Sequence, residues 1–185
     1  MLKKKEEQTT GKNIGKNMCK IEQKLQRKHL IALSFFLPLL VMTGCCIVFG
    51  VQPFGDNSLL IIDGLHQYMP FYSVLYDKLK GGEPLFYSFR SGLGINFLSL
   101  FSYYLSSPFN LLILFFKKSQ LNMAVSMIIV LKIACSGMTA GIYFSSKSKK
   151  QGFSIVMISM AYALSSYMVG YCWNVMWLDA IMIFP

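Results

Sequence analysis

From Leu30 to Val51 the chain carries no charged side chain. Coiled as an α-helix at about 1.5 Å per residue, such a run covers the roughly 30 Å hydrocarbon core of a bilayer. A soluble chain of 185 residues can bury a core, but not several runs of this kind. Two more follow: Leu121 to Phe144 holds a single charge, Lys132, and Phe153 to Tyr171 holds none. The chain therefore reads as an all-α membrane protein, a polytopic helical bundle with about three full spans. A fourth begins at Ala180 to Phe184, and Pro185 comes a few residues into it. A helix that stops before crossing is not a sensible terminus, so the chain is expected to be the amino-terminal part of a longer protein.

Charge decides the orientation. Lysine and arginine number 18 against 8 acids, and nine of the 18 precede His29. A basic segment abutting a span marks the cytoplasmic side and meets anionic lipid. Nucleic-acid binding is the weaker reading, because no aromatic residue interleaves with these charges as a base-stacking surface requires. The expected location is a bacterial cell membrane, crossed several times, with the amino terminus in the cytoplasm. Met42-Thr43-Gly44-Cys45 resembles a lipoprotein cleavage box. The basic leader is long and more spans follow, so an uncleaved anchor is preferred. The five cysteines are odd in number and form no CxxC pair, which indicates neither a disulfide framework nor a zinc site.

The expected organisation is a cytoplasmic tail over 1–29, spans over 30–51, 121–144 and 153–172, a cytoplasmic loop over 145–152, and outer segments over 52–120 and 173–185. The stretch Leu98 to Phe116 is apolar but interrupted by Ser106-Ser107-Pro108. If it spanned, Lys147, Lys149 and Lys150 would fall outside, against the positive-inside rule. Treated as a re-entrant or interfacial helix, it leaves Lys117 and Lys118 outside and the later lysines inside. Asp63 and Asp179 then share the outer face. Within 52–120, Tyr68, Phe71, Tyr72, Leu75 and Leu79 recur at helical spacing. Pro70 suits a first helical turn and Gly81-Gly82 a stop, so a short amphipathic helix is expected in the membrane interface.

Asp63-Gly-Leu-His66-Gln67-Tyr68-Met-Pro70-Phe71 is the constellation most suited to chemistry. An acid just after a span works at headgroup level, or is an ordinary solvated loop residue. His66 and Gln67, three and four residues on, would face it on a helical turn and support it. That pair is too few ligands for a firm metal site. Lys132 within a span either faces a wet interior or pairs with an unseen acid. Arg90 suits phosphate geometry or is a solvated loop cation. Asp179 beside Trp177 is a second site acid or an interface residue.

Taken in order, Asp63-x-x-His66-Gln67-Tyr68-x-Pro70-Phe71, Gly92-x-Gly94-x-Asn96, Tyr103-Tyr104-x-x-Ser107-Pro108-x-Asn110, Leu131-Lys132-Ile133, Tyr162-Ala163-x-Ser165-x-Tyr167 and Asn174-x-x-Trp177-x-Asp179 resemble bacterial YfhO-family membrane proteins over Leu30 to Pro185. The resemblance implies a GT-C-type glycosyltransferase that moves a sugar from a polyprenyl-phosphate carrier to an envelope polymer such as lipoteichoic acid. It implies Asp63 as essential acid and Asp179 as a second, with His66, Gln67, Tyr68, Arg90 and Lys132 as substrate-binding candidates. Membrane lipid, the polyprenyl-linked sugar and the polymer acceptor would be its partners, with no nucleic acid. The resemblance fixes no cofactor, and a divalent metal is left open. The rival class is non-catalytic: a transporter or flippase-like protein, or a structural part of an envelope complex.

Overall fold

The computed structural model describes residues 26–90, 93–148 and 152–185. Most of the basic tail, Gly92 of the glycine pair, and Lys149 and Lys150 lie outside the described residues. Three helices are long and apolar enough to cross a membrane: α1 (Gln26–Val48), α4 with its leading turn (Lys118–Lys147), and α5 with its continuation (Phe153–Gly170). A fourth counts if the bent pair Phe97–Leu105 and Pro108–Phe115 is one span. The all-α membrane fold expected from the apolar runs is what the described residues form. The exception is one antiparallel pair of two-residue strands, β1 (Tyr87–Ser88) and β2 (Ile95–Asn96).

Helix α1 starts earlier than the charge-free run. Its first turn has a polar partner there, since Arg27 Nε donates to Ser145 Oγ at 3.1 Å. It buries Leu30, Ser34, Pro38, Met42 and Cys46, a stripe of spacing four, and leaves Phe36, Leu40, Val41, Ile47 and Val48 exposed, as lipid contact requires.

The stripe meets α4 (Leu121–Lys147) at two glycines. A Cβ on Gly137 would overlap the carbonyl oxygen of Ser34 and stand 3.0 Å from Pro38; one on Gly141 would stand 2.7 Å from Ser34 Oγ. The same two positions face Ala163 and Ser159 of α5 (Phe153–Ala163). Lipid tails are as apolar as leucine, so helices in a bilayer associate by close packing. A small residue every four positions is the device that allows it.

These contacts make α1 and α4 antiparallel. At the far end from Arg27, Ser58 Oγ donates to Asn122 Oδ1 at 2.6 Å, and Asn122 Nδ2 donates to Gln52 Oε1 at 3.2 Å. The segments 49–90 and 93–118 cap this end of the bundle. There, after a wide turn over Gly64–Tyr68, lies α2 (Met69–Gly81), closed by Gly82 in the left-handed region at φ 67°. Its apolar side, Tyr68, Tyr72 and Leu75, is fully buried. The helix expected in this stretch is present, and it packs against the chain from Asn110 to Lys118 that leads into α4. Tyr72 contacts Asn110, the Tyr76 hydroxyl donates to Phe116 O at 3.0 Å, and Asp77 pairs with Lys118 at 2.6 Å. Asp77 also pairs with Arg90.

Buried Lys78, which carried no expectation from the sequence, ties the strand pair down by donating to the carbonyls of Pro84 and Tyr87, both at 2.8 Å. The short helix α3 (Phe97–Leu100) is capped by the Asn96 side chain, which accepts from Leu98 and Ser99 N–H. It continues to Leu105. The chain then turns by 102° at Ser106–Ser107 into the tighter helix Pro108–Phe115. Two short helices close the fold: α6 (Ser166–Gly170) and α7 (Val175–Ile183).

Candidate functional site

Helix α4 and its leading turn are 30 residues long, against 18 for α5 and α6 together. At about 1.5 Å per residue this is roughly 45 Å against roughly 27 Å. The turn after α6 therefore reaches only partway along α4, to the level of Lys132. Lys132 Nζ donates to Val175 O at 3.1 Å and to Asp179 Oδ2 at 2.7 Å. The Ser107 hydroxyl, from the elbow of the bent pair, donates to Asp179 Oδ1 at 2.8 Å. A lysine on one helix, an acid one turn inside another, and a serine at a break in a third thus converge.

Tyrosines frame this cluster. The Tyr68 hydroxyl donates to Asn174 Oδ1 at 3.2 Å. This ties Tyr68 to the residue that immediately precedes α7. Burial above all pushes the Tyr68 hydroxyl up to about 12; Tyr104, Tyr103 and the charge of Asp63 add to this, and the Met176 N–H opposes it. Tyr72, fully buried, donates to Asn110 Oδ1 at 2.8 Å, and Asn110 in turn donates to Leu105 O at 3.0 Å. Burial, then the charge of Asp179, raises Tyr72 well above its ordinary value. Both phenols are neutral donors at physiological pH.

Between the elbow and α7 opens a cleft of about 260 Å³ lined by Tyr103, Tyr104, Ser107, Met176, Asp179 and Met182. Its aromatic wall is continuous with Tyr68: the Tyr68 and Tyr104 rings sit edge to face at 5.5 Å, and Tyr103 and Tyr104 at 4.7 Å. A larger groove of about 370 Å³ runs beside α1 and α4, past Thr43, Phe115 and Met127. It has no charged wall and offers lipid packing, not chemistry.

Asp63 is exposed and its carboxylate makes no hydrogen bond or ion pair with the described residues. The residue before it, Ile62, has φ 48°, and no other non-glycine described residue has a positive φ. A β-branched residue there is strained by about 1–3 kcal/mol. Such strain persists only where the surroundings impose it.

Several expectations need correction. His66 is exposed and makes no bond to Asp63. Gln67 turns away and donates to the Tyr104 hydroxyl at 3.0 Å. The wide turn over Gly64–Tyr68 alters the three-and-four spacing that would have aimed both at the acid. Arg90 is not an unclaimed cation, since it pairs with Asp77 and, at 3.5 Å, with Glu83. Lys132 has no exposed surface and lies behind Asp179, not in the cleft. Asp179 sits within α7, not in an outer loop. Ser107, Tyr72, Asn110 and Asn174 join the cluster without having been singled out as site residues. An extended residue before a proline, between two apolar stretches, was the available signal for Ser107. Among the described residues no group of three or more His, Cys, Asp or Glu is placed to hold a metal ion.

Fold and cluster together define a polytopic helical membrane protein with an ion pair, its lysine fully buried, beside a cleft partway along α4. A family model described as bacterial membrane protein YfhO matches residues 34–185. The chain belongs to that family. No curated protein matches, and no solved structure does.

Proposed function

We propose that the chain belongs to a membrane glycosyltransferase of GT-C type. It would move a sugar from a polyprenyl-phosphate carrier to a cell-envelope polymer such as lipoteichoic acid, on the side of the membrane opposite the basic tail. The observation that carries the reading is Asp63: an exposed carboxylate with no hydrogen bond or ion pair to the described residues, presented by a strained turn five residues before Tyr68, whose ring packs on Tyr104 of the cleft wall. In the reaction an acceptor hydroxyl attacks the anomeric carbon, and the bond from that carbon to the carrier phosphate breaks. The phosphate leaves with the electron pair. Asp63 takes the proton of the hydroxyl. Asp179 suits the base role less well. Both its oxygens already accept hydrogen bonds, and protonation would break its ion pair with Lys132.

The test is transfer of labelled sugar from a polyprenyl phosphate to envelope polymer in membranes, with the full-length chain at matched expression. Asp63→Asn keeps the size and removes the proton acceptor, so transfer should fall by about 10²-fold or more. Near-normal transfer would move the base elsewhere. A transport reading also has an observation in its favour, since a broken helix meeting a buried ion pair is a device transporters use. Carrier-dependent sugar flux into proteoliposomes without transfer would favour it.

A further inference from the structure

We infer that the cleft beside Asp179 is a binding subsite for one neutral, polyhydroxylated ring, and that Lys132 is the positioning residue that fixes the Asp179 carboxylate in its wall. The inference rests on the glycosyl-transfer reading for what the ring is: the sugar carried by the donor.

Size, chemistry and charge point the same way. A volume of about 260 Å³ falls just below the roughly 300–1,000 Å³ of sites that enclose drug-sized ligands. It has room for one ring, not a chain of them. One wall is aromatic, Tyr103 against Tyr104, and suits the C–H face of a sugar. The rest mixes the polar Ser106, Ser107 and Asp179 with the apolar Pro108, Met176, Met182 and Ile183. A carboxylate has about four lone-pair positions. Ser107 takes one on Oδ1 and Lys132 one on Oδ2, so the carboxylate, 25% exposed, keeps acceptor capacity towards the cleft. Hydroxyl groups are the donors that match it, through charge-assisted bonds.

A phosphate does not match. Among the described residues, the only charged group in the wall is the acid, and Lys132, 0% exposed, cannot reach past it. The cleft thus selects the uncharged, hydroxylated part of a donor over its phosphate. A purely structural role explains the pair poorly. Burying two charges gains little stability over apolar residues of the same size, whereas intramembrane charges mark functional surfaces.

The test uses the full-length chain in nanodiscs, free of native cysteines, with Ser106→Cys as a reporter on the cleft wall. Its rate of modification by a maleimide is measured with a water-soluble prenyl-phosphate hexose, with prenyl phosphate alone, and with no ligand. Modification should slow at least threefold with the hexose-bearing compound and stay unchanged with prenyl phosphate. Equal protection by prenyl phosphate overturns the inference. So does no protection at all, or a reporter thiol that is unreactive without ligand. Protection without transfer keeps the subsite and sinks the enzyme reading; transfer without protection does the reverse.

Lys132→Met should abolish the protection, and Lys132→Arg should restore part of it. The neutral pair Lys132→Met with Asp179→Asn should recover thermal stability but not protection. If it recovers both, the ion pair is structural only and the inference falls.

Discussion

Ile62 stands at φ 48° immediately before Asp63, and its strain can be isolated. Replacing Ile62 by glycine removes the clash but has two costs. Glycine loses more backbone freedom on ordering, about 0.5–1 kcal/mol. Removing a side chain that is 58% exposed forfeits under half of the roughly 1.5–3 kcal/mol that full burial is worth. The gain is about 1–3 kcal/mol, so the sign of the net change is not fixed by one variant. Ile61→Gly supplies the control. Ile61 is 51% exposed and is not among the residues of positive φ, so it carries nearly the same costs and no relief. Ile62→Gly should therefore be more stable than Ile61→Gly by about 1–3 kcal/mol, read as the difference in thermal or SDS-titrated unfolding of the purified protein in micelles. Transfer should respond in the opposite sense. Ile62→Gly frees the turn that presents Asp63 and should lower the rate, because a loosely held base spends less time in reactive geometry. Equal stabilities for the two variants would refute the claim of strain. A large stability gap with unchanged transfer would show that the strain has no bearing on Asp63.

The helix seam is equally open to test. Gly137→Ala should lower unfolding stability by about 1–3 kcal/mol, because the new methyl meets a backbone carbonyl that no rotamer change can move; a neutral result in the same titration would contradict the packing. On the cap, the hydrogen bond from Lys118, with Arg90 beside it, holds the Asp77 carboxyl below its usual value. Its contribution is therefore complete above the ordinary range near pH 3.9 and lost as pH falls through the lowered value. Arg90 and Lys118 are half-exposed, so Asp77→Asn should cost under about 1 kcal/mol, and less in high salt. A cost independent of salt would exclude an ion-pair origin. For orientation, a cysteine replacing Glu83 should react with an impermeant thiol reagent on intact cells, and one replacing Lys12 should not. The reverse pattern would invert the bundle.

The bundle was legible in the sequence because its signals are local. Apolar runs long enough to cross a bilayer, with no charge or only Lys132, marked α1, α4 and α5, and the Gly81-Gly82 stop and Pro70 marked α2. The starts of α1 and α4 were less clear, since Arg27 and Lys118 gain partners, Ser145 and Asp77, that lie far along the chain. The site was half legible. Lys132 and Asp179 were visible as charges in apolar surroundings, but not as partners. Their meeting depends on α5 and α6 being much shorter than α4, which brings the following turn level with Lys132. Helical spacing placed His66 and Gln67 beside Asp63; the wide turn there breaks that spacing. Arg90 read as available only because its two acids, Asp77 and Glu83, are joined to it by tertiary folding.

Tyr68 lies five residues after Asp63, and its hydroxyl is bonded to Asn174, the residue just before the helix that carries Asp179. Mechanically, this makes a lever of the segment between them. A ligand that shifts the Asp63 turn must drag Asn174, at the foot of α7, or break its bond to Tyr68, and α7 in turn carries part of the wall of the cleft. The two acids are thus geared together without touching. Tyr68→Phe, which keeps the ring and removes the gear, would leave each acid in place and let them move out of step.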